Sequence, residues 1–175
     1  TFPEFNMDNK RVISSKEAML LEKIPKKIVI IGSGAIGCEF SYYFNEFGAE
    51  VHLIESEDKI LPLEDLDVSK ELEKNFIKSG IQIHKNSKVS IINSSKSEVK
   101  VTYLEDSNQK VLKGDYALVA VGVTGNVENI GLEELGIKVE NGAVKINEYN
   151  QTNIENIYAI GDVSGPPWLA HVASA

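Results

Sequence analysis

From residue 28 onward the apolar positions fall into a repeating order. Ile28-Val29-Ile30-Ile31 is a continuous aliphatic run, the pattern of a strand buried on both faces of a parallel sheet. Ile36, Phe40, Tyr43, Phe44 and Phe47 then recur at helical spacing, and Gly48 is placed to end that helix. Val51–Ile54 predicts a second strand. Val68, Leu72 and Phe76 mark a second helix closed by Gly80, and Ile81–His84 a third strand. Two strand–helix–strand units in series predict a parallel sheet with right-handed crossovers. The rhythm then changes. Val89–Ile92, Val99–Tyr103 and Val111–Leu112 are short β-prone stretches separated by the polar segments Asn93–Ser97 and Glu105–Asn108, which predicts an antiparallel meander inserted before the sheet resumes. Tyr116–Val121 predicts the returning strand, ending at Gly122, and Ile157–Ile160 another, ending at Gly161-Asp162.

The stretch before residue 28 reads differently. Thr1–Lys10 is polar and extended in character, with Pro3 discouraging an early helix. Ser14-Ser15-Lys16-Glu17 has capping-box spacing and predicts a short helix that stops before Pro25. We expect this to be a lead-in rather than part of a core.

Composition narrows the class. With 42% hydrophobic and 25% charged residues, the chain sits among soluble globular proteins, and no aliphatic run approaches the roughly 20 residues that span a bilayer. The net charge of −8, with scattered lysines, gives no electrostatic footprint for nucleic acid. The first residues show no basic-then-apolar leader, so nothing argues for secretion, and the single cysteine fits a reducing cytoplasmic setting. The lone cysteine, Cys38, excludes an internal disulfide and is expected to be a small packing residue. His52 and His84 sit on strands and are read as packed or rim residues.

The chemistry concentrates where the first strand ends. Gly32-Ser33-Gly34-Ala35-Ile36-Gly37 is a G-x-G-x-x-G turn between a buried strand and an amphipathic helix. Gly32 would make the tight turn, Gly34 would let backbone approach a pyrophosphate, and Gly37 would allow close helix–strand packing. The helix N-terminus would supply free N–H groups and partial positive charge for the phosphates. Glu55 follows about 20 residues later, where an acid accepts both hydrogens of the adenosine ribose diol. In the following Ser56-Glu57-Asp58 the two acids add negative charge and there is no arginine, which favours NAD over NADP. The fold class expected is therefore α/β, a Rossmann-like parallel sheet with an inserted antiparallel β-meander. Glu39 is read as lying in the helix's first turn, where an acid complements the dipole. A second candidate lies at Gly161-Asp162, where a strand end would present a carboxylate at the sheet's carboxyl edge, followed by a turn into a helix start at Pro166–His171.

With these motifs in place, the chain resembles the flavoprotein disulfide reductases over essentially its whole length. The resemblance is carried by Ile24-Pro25-Lys26, by Ile30–Glu39 around the glycine turn, by Ile60-Leu61-Pro62, by Ala120-Val121-Gly122 and by Tyr158-Ala159-Ile160-Gly161-Asp162. Leu169-Ala170-His171 is similar to the lipoamide branch, since the glutathione branch usually carries Leu-Thr-Pro there. The resemblance implies an enzyme that oxidises protein-bound dihydrolipoamide through a redox disulfide and FAD and passes hydride to NAD+. Its implied partners are the lipoyl domains of 2-oxo acid dehydrogenase or glycine cleavage complexes, and its implied state a homodimer. It implies NAD contacts from Gly32, Ser33, Gly34, Ala35, Ile36, Gly37, Glu55, Val89 and Gly122. FAD contacts are implied for Asp162, Trp168, Leu169, Ala170 and His171, and an auxiliary position at the flavin–nicotinamide junction for Glu39. Residues 1–26 would lead in from the FAD domain, 27–147 form the NAD domain, and 148–175 return to the FAD domain.

Two departures qualify the resemblance. Val123 and Gly125 stand where many relatives carry arginine and proline. There is also no Cys-x-x-x-x-Cys pair, no second G-x-G-x-x-G and no C-terminal His/Glu pair, so the chain by itself is expected to be inactive. NADH oxidase, mercuric reductase and glutathione reductase are the neighbouring readings. A free-standing module that senses NAD/NADH is the alternative from another class; the end of the chain at a helix start speaks against it.

Overall fold

The computed structural model describes residues 5–174, so the reading of the first four residues as extended lies outside the described residues. The chain divides into two compact units, Thr1–Gly122 and Val123–Ala175.

In the first unit, β1 (Val12–Ile13) precedes α1 (Ser15–Ala18), which opens on the expected capping box between Ser14 and Glu17. Then come β2 (Lys27–Ile31), α2 (Ala35–Glu46), β3 (Glu50–Ile54), α3 (Leu66–Ser79) and β4 (Gln82–His84). The meander follows as β5 (Ser87–Ser94), β6 (Val99–Glu105) and β7 (Asn108–Gly114), and β8 (Tyr116–Val119) returns to the first sheet. That sheet is parallel, in the order β1-β8-β2-β3-β4, and the meander is a separate antiparallel sheet, β5-β6-β7. The expected α/β class and inserted meander are both present.

The aliphatic run of β2 is continuous because both faces are covered. Ile28 and Ile30 pack with Phe44 of α2 and Phe76 of α3, whereas Val29 and Ile31 pack with Ile92, Val99, Val101 and Tyr103 of the meander. Helices thus cover one face of the parallel sheet and the meander the other. Phe44 is fully buried, and removing its ring would cost about 3–5 kcal/mol.

In this unit three expectations change. The segment before residue 28 is not merely a lead-in: β1 pairs with β8, and Val12, Ile13 and Ala18 are buried. The core face of α2 is rotated from the aromatic stripe. Gly37, Cys38, Ser41 and Phe44 are buried while Tyr43 and Phe47 are exposed, because close approach to the sheet admits small residues rather than rings. In α3, Ser69 and Phe76 are buried and Val68 is exposed. Gly80 ends α3 in the left-handed conformation, as its spacing predicts.

The second unit contains a tight hairpin, β9 (Val139–Glu140) and β10 (Ala143–Val144), turning on Asn141 and Gly142, both at positive φ. Ile137, Val144, Thr152 and Gly165 are buried in this unit. A short 3-10 turn, Gly161–Ser164, and α4 (Ala170–Ala173) follow. Ile157–Ile160 is not a strand. Thr152 donates to the Ile157 carbonyl and Ala159 to that of Asn150, around a single bridge between Gln151 and Tyr158, and Tyr158 and Ile160 are exposed. An apolar run becomes a strand only where a neighbour supplies a ladder, and here, among the described residues, the pairing stops at that single bridge.

Candidate functional site

Because β2, β3 and β8 are parallel, their carboxyl ends share one edge of the sheet. There the Gly32–Gly37 turn leaves β2, Glu55 ends β3, and Ala120–Gly122 leave β8. Gly32 donates to the Ile54 carbonyl and Ala120 to that of Ile31, locking the three exits together. Gly32 has φ +94°, and a Cβ there would lie 2.5 Å from the Ala120 oxygen. A Cβ on Gly37 would lie 1.9 Å from the Gly32 oxygen, so helix and turn touch backbone to backbone.

Gly34 is different. It is the N-cap of α2, has an ordinary φ of −67°, and a Cβ built on it would meet nothing within 4 Å. The fold does not need a glycine there; open space lies above it. No side chain caps α2, so its first N–H groups and partial positive charge face that space. The first turn of α2 contains no acid, and Glu39 is the fifth helical residue and exposed. Its expected place in the first turn is therefore not observed, and the dipole effect, confined to that turn, does not account for it.

Glu55 is buried and fully hydrogen-bonded. Oε2 accepts from the Ser33 N–H at 2.8 Å and the Ser33 hydroxyl at 2.6 Å. Oε1 accepts from the Ser56 hydroxyl and the Glu57 N–H, each at 3.0 Å. Burial alone pushes the carboxyl pKa up, but these hydroxyl and amide donors outweigh it and hold the group below its ordinary value. The Ser33 carbonyl is tied in turn to the Leu61 N–H at 2.9 Å and the Cys38 thiol at 3.2 Å. Burial, then the charges of Glu55 and Glu39, push the Cys38 thiol up to about 12, so it is an inert packing group. The edge thus pairs uncapped amides with an ionised carboxylate, an arrangement able to hold a phosphate beside a hydroxyl-bearing group.

The other candidates are placed as follows. Gly122 is exposed at φ +134° with open space around it. Val89 is half-buried on β5 and packs against the cluster that contains Ile31 and Ile54. In the second unit Asp162 is exposed in the 3-10 turn, and Trp168, Leu169, Ala170 and His171 are exposed around the start of α4. Sequence reading named Ser33 as a nucleotide contact but not as a partner of Glu55, and it gave the Ser56 hydroxyl no role. The only signal was a serine inside the turn and another beside the acid.

The model for the pyridine nucleotide-disulphide oxidoreductase family matches residues 2–175. A dihydrolipoyl dehydrogenase of Zymomonas mobilis is 41% identical over 174 residues, covering 98% of this chain and 37% of its own length. One from Mycobacterium leprae is 44% identical over 165 residues, covering 94% of this chain and 35% of its own. Among solved structures, LpdA of Mycobacterium tuberculosis superposes with a TM-score of 0.88 at 30% identity, covering 99% of this chain and 38% of that one. The HOCl-induced flavoprotein disulfide reductase RclA of Escherichia coli superposes at 0.86 and 27% identity, covering 99% of this chain and 39% of that one. The chain spans a little over a third of the length of these relatives.

Proposed function

The chain belongs to the pyridine nucleotide-disulphide oxidoreductase family, and on that premise we propose that it is the NAD(H)-binding part of a cytoplasmic dihydrolipoyl dehydrogenase. Residues 27–147 form the nucleotide domain on this reading, with 1–26 leading in from the flavin domain and 148–175 returning to it. The whole protein, a homodimer, takes reducing equivalents from lipoyl domains of 2-oxo acid dehydrogenase or glycine cleavage complexes. Redox chemistry is supplied by the flavin, the nicotinamide and a redox disulfide, while this chain's residues bind and orient. The uncapped amides of α2 hold the pyrophosphate, Glu55 takes the adenosine ribose, and Val89 and Gly122 border the nucleotide. Holding the nicotinamide in line with its partner removes translational and rotational freedom before reaction, an effect worth several kcal/mol. Glu39 lies toward the flavin–nicotinamide junction. Asp162 and Trp168–His171 contribute to the flavin side.

The observation that carries this reading is the contrast between the glycines. Gly32 and Gly37 are demanded by packing, whereas Gly34 faces open space that packing leaves unused. Gly34→Val fills that space without positive-φ strain or a backbone clash. We expect Gly34→Val to lower NADH affinity by at least about tenfold in calorimetric titration while the melting temperature stays within a few degrees. Unchanged NADH binding would remove the basis for placing a pyrophosphate there. RclA, the second solved relative named, keeps another disulfide reductase of the family as the alternative for the whole protein.

A further inference from the structure

Glu55 holds more donors than an acid waiting for a ligand needs. An ionised carboxylate offers about four acceptor sites, and Ser33 N–H, Ser33 hydroxyl, Ser56 hydroxyl and Glu57 N–H take all four. The four donors are not equivalent. The two amides belong to the glycine turn and the exit of β3, and neither can leave without moving backbone. Ser33 is fully buried, so a displaced hydroxyl would find no water. Ser56 is exposed, and rotation about its Cα–Cβ bond hands its hydroxyl to solvent. Its bond is also longer, 3.0 Å against 2.6 Å for the Ser33 hydroxyl.

We propose that Ser33 and Ser56 divide the Glu55 carboxylate into a fixed inner oxygen and an exchangeable outer one. Ser33 is a positioning residue that keeps the acid in place, and the Ser56 hydroxyl is the group that a ribose hydroxyl of the nucleotide displaces. This rests on the reading that Glu55 faces the ribose, and it narrows that reading. One oxygen is offered rather than two, so one ribose hydroxyl is bonded instead of the whole diol. Specificity then resides in a swap of one hydroxyl for another on Oε1.

The test is calorimetric titration of NADH into the wild-type chain and the Ser56→Ala, Ser33→Ala and Glu55→Ala variants. Ser56→Ala removes a bond present only in the free protein, so NADH affinity rises roughly 3- to 10-fold. Unchanged or weaker binding overturns the exchange. Ser33→Ala weakens NADH by about tenfold and moves the acid loss of binding to higher pH, whereas Ser33→Thr, which keeps the hydroxyl, retains the wild-type pH profile. A Ser33→Ala profile identical to wild type overturns the positioning role. Should Ser33→Ala fail to fold, the exposed Ser56→Ala change decides the exchange, and Ser33→Cys, whose thiol is a far weaker donor, tests the positioning role by the same pH profile, an unmoved profile overturning it. Glu55→Ala separates the two levels. No loss of NADH affinity sinks the ribose reading and this proposal with it, while a loss without tightening in Ser56→Ala sinks the exchange only.

Discussion

At Glu55, one charge decides between two nucleotides. NADH offers it a hydroxyl, a charge-assisted partner worth roughly 1.5–3 kcal/mol. NADPH would bring a phosphate of nearly two negative charges toward a carboxylate whose donors keep it ionised, with Glu57 and Asp58 next in sequence and no arginine near. We expect the chain to prefer NADH by about 30- to 1000-fold, or 2–4 kcal/mol. In Glu55→Ala, NADH affinity should fall and NADPH affinity rise. Titrating both nucleotides into both proteins checks this, and an unmoved ratio of dissociation constants would remove Glu55 from the ribose. The acid could be read from sequence because its distance from the glycine turn is set by one helix and one strand. The bonds from Ser33 and Ser56 to it could not, since a hydroxyl's partner depends on which way the strand exit turns.

Between elements, the least expected contact is a chain of polar groups crossing from the parallel sheet to the meander. Lys27 pairs with Glu50, Glu50 with His52, and His52 Nδ1 lies 3.0 Å from His84 Nε2. Beyond His84 stand the Tyr103 hydroxyl at 3.4 Å, Glu105 at 3.7 Å and, paired with Glu105, Lys110; Gln82 lies beside His52. Burial, then the charges of His52, Lys110 and Lys27, lower the His84 pKa to about 4, and burial lowers that of His52. A histidine depressed in the fold is protonated first in the unfolded chain. Its stabilisation is complete above about pH 6.5 and is lost as pH falls toward about 4. By pH 5 the loss should reach roughly 2 kcal/mol, about 4–8 °C in melting temperature. His84→Gln should flatten that slope between pH 7.5 and 5, and an equally steep variant would discard the mechanism. Sequence reading expected both histidines to be packed or rim groups, and their strands were legible from alternation and caps. Their pairing was not, because it depends on register between β3 and β4. The rotated face of α2 escaped for a related reason: helical periodicity marks apolar residues, while Gly37, Cys38 and Ser41 are buried for being small.

For the whole molecule, the limiting fact is one cysteine, buried and with its thiol pKa pushed up to about 12. Dithiol oxidation needs a pair, so we expect no dihydrolipoamide:NAD+ turnover from the 175-residue chain in a spectrophotometric assay. Activity above background would mean that the redox centre has been misread. The parallel sheet was legible because its strands are buried on both faces. Ile157–Ile160 was misread as a strand because composition signals apolarity but not the presence of a pairing neighbour. The strand lengths carry a further consequence. The parallel sheet ends in β1 and β4, two and three residues long. Of the meander's outer strands, β5 is bent by a bulge between Val89 and Ile91, and β7 carries Lys110 and Lys113. Fibril growth recruits runs of about six flat, uncharged residues with free backbone groups. Among the described residues neither of these two sheets offers such a rim, so strand-by-strand polymerisation of the folded protein finds no long, straight, uncharged edge on them.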